Sequence, residues 1–166
     1  LSGLVTRTLG EGAFPVLTAL RDATSESCQL YRRQADQRIC VAAAERLSGL
    51  RDTVPLGSVL SMQAGSAAQV LLAWEEPERM HRGLMGAKFN ATALAGVRRR
   101  GWAQSVSERE VGVASVSAPV RSPSGRVIAA VSRMQRDSGN SRVRSEKLFQ
   151  GRQTFSSLRF FSSSMS

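Results

Sequence analysis

The chain has 166 residues, 42% of them hydrophobic, and a formal net charge of +10. That is the size of one ordinary domain, with enough apolar residues for a real core. It lacks any stretch near the ~20 apolar residues of a membrane-spanning helix, and Cys28 and Cys40 are too few for a disulfide framework. The charge is uneven. Residues 1–132 hold 16 basic and 11 acidic groups, whereas residues 133–166 hold 7 and 2. A basic balance favours contact with nucleic acid or anionic surfaces. The acidic groups interspersed before residue 133 also fit a solvated Arg-rich surface. Leu1 to Phe14 lacks the basic region and apolar run of a secretory signal. A start without Met reads as a cut or fragmentary chain, and a cytoplasmic protein is the expectation.

Phe14 to Thr24 reads as an amphipathic helix, with Val16, Leu17 and Leu20 at helical spacing and Pro15 in its first turn. Ser27–Arg33 and Arg38–Arg46 read as strands joined by a turn at Gln34-Ala35-Asp36. Leu50 to Met62 is extended and punctuated by Pro55 and Gly57. Ser66–Trp74 is a short helix with an apolar stripe at Val70, Leu71 and Trp74. A second short helix spans Glu76–Leu84, and a third spans Thr92–Arg100, capped by Thr92 and stopped by Gly101. Trp102–Ser105 is a strand. It is followed by a hairpin in which Val113, Ser115 and Ser117 alternate with Ala114, Val116 and Ala118. Pro123 and Gly125 supply its turn, and Arg126–Ser132 its second arm. Mixed helices and strands without βαβ alternation indicate an α+β domain with a largely antiparallel sheet. Nine of the last 34 residues are serine and few are apolar, so residues 133–166 read as a poorly ordered basic tail.

Little here is catalytic. His81 is the only histidine, lies on the polar face of a short helix, and no Gly-x-Ser-x-Gly turn accompanies any serine. One histidine and two distant cysteines cannot build a structural zinc site, and phosphate-binding glycine loops are missing. Cys28 and Cys40 mirror each other about the strand turn, so a facing pair and two packed thiols both remain open. Glu108 and Glu110 flank Arg109 in a polar loop, which fits either acid–base chemistry or a solvated turn. What remains is small and polar. Gly65-Ser66-Ala67-Ala68 opens a helix whose free N–H groups could hold a carboxylate, and alternation could point Ser115 and Ser132 to one interior face. Such an inventory fits a small acid in an apolar cavity, or packing serines beside a helix cap.

Three segments, in this order and spacing, resemble the effector-binding domain of the IclR family of transcription regulators. They are ALRDATSESCQLYRR, VPLGSVLSMQAGSAAQVLLAW and RRRGWAQSVSEREVGVASVSAPVRSPSGRVIAAVS. The resemblance covers residues 13–132, leaving residues 1–12 as a lead-in and residues 133–166 as an atypical tail. It implies a GAF/PAS-like α+β domain with a curved antiparallel sheet flanked by helices and a small-molecule pocket. Effector-binding positions carried over from the family are Leu60, Ser66, Ala67, Ser105, Val113, Ser115 and Ser132. Several depart from the family pattern. Ser105 stands where Asp is common, Ser115 where Cys is common, and Met134 replaces a second pocket serine.

The resemblance implies a sensor of a small organic acid or amino-acid-related metabolite, without catalysis, cofactor or metal. Such proteins work as homodimers or homotetramers and reach DNA through a winged helix-turn-helix domain, for which the few residues before Phe14 are too short. The change of character after Ser132 reads as a foreign C-terminus. Two alternatives stay open: a nucleic-acid-associated protein acting through its Arg-rich surface and tail, or a truncated regulator fragment without function.

Overall fold

The computed structural model describes residues 2–48 and 54–136; the expectations for residues 49–53 and 137–166 lie outside them. Helix α1 (Ser2–Thr24) leads into the hairpin of β1 (Ser27–Gln34) and β2 (Gln37–Ala44). A short strand, β3 (Val59–Ser61), precedes three helices, α2 (Ser66–Ala73), α3 (Pro77–Leu84) and α4 (Ala91–Arg100). Strands β4 (Ala103–Val106), β5 (Val113–Arg121) and β6 (Val127–Arg136) follow. All six strands form one curled antiparallel sheet in the order β3-β2-β1-β6-β5-β4. The expected α+β class and the GAF/PAS-like architecture hold.

Each sheet face has its own core. On one face α1 lays Leu9, Ala13, Leu17 and Leu20, a stripe at helical spacing, over Cys28, Leu30, Val41, Ala42 and Ala44. The approach is close at Gly10, where a Cβ would meet the Val41 carbonyl oxygen at 2.5 Å. On the other face α2 is buried at every position. Val70 and Leu72 pack there with Leu94 and Val97 of α4 and with Tyr31, Val113 and Ala130 of the sheet. This second layer positions the candidate site.

The structure corrects the sequence reading at several places. Helix α1 begins at Ser2 rather than Phe14, so Pro15 lies inside it. An interior proline costs about 3 kcal/mol. Leu9 and Ala13 extend the buried stripe upstream of it, and their burial offsets that cost. The cap of α4 is Asn90, not Thr92: its extended backbone lets its side chain accept from the Ala93 N–H at 3.0 Å. Strand β6 passes Ser132 and runs to Arg136. It is a central strand, and Arg133 to Arg136 pair with Val113–Val116 of β5 while Arg133 and Met134 also pair with Cys28 and Ser27 of β1. Ladder hydrogen bonds on both sides extend it although Arg133-Met134-Gln135-Arg136 reads as polar. Cys28 and Cys40 do not face each other, because the hairpin turns at Ala35-Asp36, which sets Cys40 opposite Tyr31 and, past a register shift at Leu30/Tyr31, Cys28 opposite Ala44. The two thiols lie in different cores and both are free.

Leu17 is 1% exposed beneath α1, while Phe14 is 55% exposed on its outer side. Leu17→Ala is expected to cost about 2–5 kcal/mol in a urea melt, and Phe14→Ala less than about 1 kcal/mol. Equal costs would show that α1 does not pack through this stripe.

Candidate functional site

The first turn of α2 points its amides at the sheet. Four strand serines answer it. The Ser66 N–H donates to Ser105 Oγ at 3.0 Å. Ser66 Oγ lies 2.7 Å from both Ser115 Oγ and Ser117 Oγ. Ser105 and Ser115 hydroxyls are 2.9 Å apart, and Ser117 donates to Ser132 at 3.0 Å. Register explains the grouping. Ser105 pairs with Ser115 across β4 and β5, and Ser117 with Ser132 across β5 and β6. Paired residues share a sheet face, so alternation along β5 brings Ser115 and Ser117 to the same side. Ser66, Ser105, Ser117 and Ser132 are buried, and Ser115 is half-buried. Hydroxyls both donate and accept, so this chain can turn either polarity toward a small polar molecule.

The same row continues into β1, where Gln29 pairs with Ser132. Gln29 is buried, and its Oε1 has no hydrogen-bond partner among the described residues. A ligand donor would satisfy it.

Charge gathers at the edge of this floor. Glu108, from the loop between β4 and β5, caps α2. Its Oε2 accepts from the Gly65 N–H at 2.9 Å and its Oε1 from Gln69 Nε2 at 3.0 Å. Lys88 Nζ donates to the Glu108 carbonyl at 2.6 Å. A carboxylate at a helix N-terminus meets the positive end of the helix dipole. Gly65 sits at φ 98°, ψ 155°, open to glycine almost alone, and a Cβ there would lie 3.2 Å from Arg38 Nη2.

Arg38 of β2 is 3% exposed. Its Nη1 donates to the Ser61 carbonyl, and its guanidinium lies 5.4 Å from the Tyr31 ring centroid. Burial lowers its pKa to about 10, the Tyr31 phenol opposes that, and the nearby Arg109 charge adds to it. It therefore stays charged at neutral pH. Burial also pushes the Tyr31 phenol up, so it stays protonated. Arg109 turns inward, its Nη2 3.2 Å from Met134 Sδ.

The seven positions expected from the sequence sort as follows. Ser66, Ser105, Ser115 and Ser132 join in one hydroxyl chain, with Ala67 and Val113 buried beside it. Leu60 lies apart, on β3 opposite Arg38, half-buried against the same core. It also lines an open cleft of about 980 Å³ with Ser61, Met62, Arg33, Arg79 and Arg82. Sequence reading missed Ser117, although its alternation with Ser115 was a usable signal. It also missed Gln29, Arg38 and Gln69, which no local pattern marks, and it left Glu108 open as a solvated loop residue.

A curled antiparallel sheet flanked by helices, with a floor of hydroxyls under the first turn of α2, marks an α+β domain of the GAF/PAS-like type. Comparison with known proteins names the family. The model "Bacterial transcriptional regulator IclR C-terminal" matches residues 3–150, and the chain belongs to that family. A search of curated proteins gave no match. Among solved structures, the Thermotoga maritima IclR superposes with a TM-score of 0.82 at 18% identity, covering 96% of this chain and 70% of that one. The PobR inducer-binding domain from Acinetobacter, a double mutant in complex with 3-hydroxybenzoic acid, superposes with a TM-score of 0.74 at 22% identity, covering 93% and 95%. A transcriptional regulator of Rhodococcus sp. RHA1 gives 0.79 at 24% identity, and this chain, 93% covered, spans 66% of its length. These likenesses show the fold.

Burial raises the Cys28 thiol to about 12 and the Cys40 thiol to about 11, so both are protonated at pH 8. Native protein is expected to react with Ellman's reagent at pH 8 at least a hundredfold more slowly than free cysteine, and to release two equivalents once unfolded. Fast reaction of one thiol in the native state would show that its core opens.

Proposed function

We propose that this domain is the effector-sensing module of an IclR-type regulator and that its effector is a small organic acid or amino-acid-related metabolite. The observation that carries this reading is the hydroxyl chain of Ser66, Ser105, Ser115, Ser117 and Ser132 beneath the amides of α2. A buried polar floor facing a helix N-terminus suits a small polar ligand with a negative end. The 3-hydroxybenzoic acid in the related PobR domain supports a ligand of that kind. In this reading Ser66, Ala67, Ser105, Val113, Ser115 and Ser132 contact the effector and Leu60 lines its approach. The module binds without turnover, in the cytoplasm, as a homodimer or homotetramer. DNA is read by a winged helix-turn-helix domain that is not among the described residues. Among the described residues no helix is long and apolar enough to cross a membrane.

The test is a thermal-shift and calorimetry panel of small carboxylates, 3-hydroxybenzoate included, on the folded chain. Ser115 is the half-buried member of the chain, where an indole fills ligand space. Ser115→Trp is expected to abolish binding with circular dichroism unchanged. Unchanged affinity would place the ligand elsewhere, and conversion of a bound compound would overturn the non-catalytic role.

By itself this chain is expected to bind duplex DNA only through charge, hence without sequence preference and more weakly as salt rises. Gel-shift titrations on candidate operator and scrambled duplexes at 50 and 200 mM salt read this. A tenfold preference for one duplex would favour the nucleic-acid-associated alternative.

A further inference from the structure

Arg38 is a buried guanidinium without an anionic partner. It is 3% exposed and forms no ion pair among the described residues. Its Nε is wholly buried and has no hydrogen-bond partner there. Its neighbours do not balance its charge: the Tyr31 ring, the Ser61 carbonyl, and Arg109, which carries the same sign. A buried cation left like this is costly unless an anion joins it. Its Nη2 lies at Gly65, 3.2 Å from where a Cβ would stand, beside the first turn of α2. Glu108 reaches the same glycine from the opposite loop, but spends its carboxylate on the Gly65 N–H and on Gln69. Two carboxylate-binding elements, a helix N-terminus and an arginine, thus meet at one residue, and the protein's own acid satisfies only the first.

We propose that Arg38 selects an anionic effector, receiving the effector's carboxylate beside the Gly65–Ser66 backbone, where Glu108 competes for the same amide. This rests on the reading of the serine floor as the effector site and adds the residue that sets the charge of the ligand. Arg38 forms the ion pair, the α2 amides and serine hydroxyls take the remaining polar atoms, and Glu108 gives up Gly65 when the effector enters. A neutral ligand of the same shape leaves Arg38 unpaired and Glu108 in place, so it binds more weakly.

Benzoate, 3-hydroxybenzoate and pyruvate, each beside its neutral amide, are titrated by calorimetry into the wild-type chain, Arg38→Gln, Glu108→Gln and Ser115→Trp. The wild type is expected to bind at least one acid tenfold or more tightly than its amide. Arg38→Gln should lower acid affinity at least tenfold and change amide affinity less than threefold. Glu108→Gln, which removes the competing charge and keeps the side-chain shape, should tighten acid binding at least threefold. It serves as the deciding variant should Arg38→Gln not fold. Acid binding that Ser115→Trp abolishes but Arg38→Gln leaves within threefold of wild type overturns the role of Arg38 and keeps the serine-floor site. Acid binding that Arg38→Gln abolishes but Ser115→Trp leaves intact keeps Arg38 and overturns the serine-floor site. Amides binding as tightly as acids, acid affinity unmoved or weakened by Glu108→Gln, or no acid binding to folded wild type each overturn the proposal.

Discussion

The first turn of α2 is buried in the middle of the domain, and its amides must find partners there. An α-helix leaves its first N–H groups without intrahelical acceptors. At a surface, water would take them. Here all eight residues of α2 are buried, so the surrounding protein must supply acceptors. Ser105 and Glu108 do so, for Ser66 and Gly65 respectively. Gly65 allows the chain to turn into the helix at a positive φ, and the absence of a Cβ leaves space for the Arg38 guanidinium. Ser105 on the inner sheet face answers this need, and Ser115, Ser117 and Ser132 continue its polarity through hydroxyl contacts. Serines stand on β4, β5 and β6 where the other parts of the same face carry Val113, Ala103 and Ala130.

That arrangement also ties the floor to two neighbouring segments. Glu108 belongs to the β4–β5 loop, and its carbonyl takes Lys88 from the segment between α3 and α4. Lys88 in turn donates its own backbone N–H to Gln63, just ahead of α2. A ligand group that takes the Gly65 N–H takes it from Glu108, and so changes the bond that fixes this loop. A ligand shifts a conformational equilibrium only by what it binds differently in the two states. The exchange proposed at Gly65 would be such a difference, and it would lie between the polar floor and two surface segments.

Much of the frame was legible because it follows local periodicity. The alternation of Val113, Ser115 and Ser117 set the inner face of β5, and the small residues after Gly65 marked a helix that could pack closely. The failures share a physical cause: each depended on a neighbour far away in sequence. Pro15 looked like a helix start because the stripe of Leu9 and Ala13 gains its value only against Val41 and Ala42 of β2. Arg133 to Arg136 looked like the beginning of a tail because nothing local says that β6 lies between β1 and β5. Arg38 opens the strand read from Arg38 to Arg46, just after a turn, where an arginine is ordinarily exposed, yet it is buried by β3 and the approach to α2. Glu108 reads as solvated until α2 is laid across the sheet.

The departures from the family pattern are consistent with one another when set in this geometry. The resemblance places an Asp at Ser105 and a second serine at Met134 in many members. With Ser105, the acceptor for the Ser66 N–H is a neutral hydroxyl, so the floor itself carries no charge. The carboxylate beside the floor is Glu108, which stands on a loop rather than a strand. With Met134, the β6 position paired with Ser115 is apolar, and the Arg109 side chain lies against its sulfur. Only the change at Ser105 alters charge: a neutral hydroxyl stands where the pattern has a carboxylate, whereas methionine for serine at Met134 is neutral for neutral. On a neutral floor beside the buried Arg38 guanidinium, the anion of the proposal would meet no repulsion of the kind that an aspartate in its middle would add.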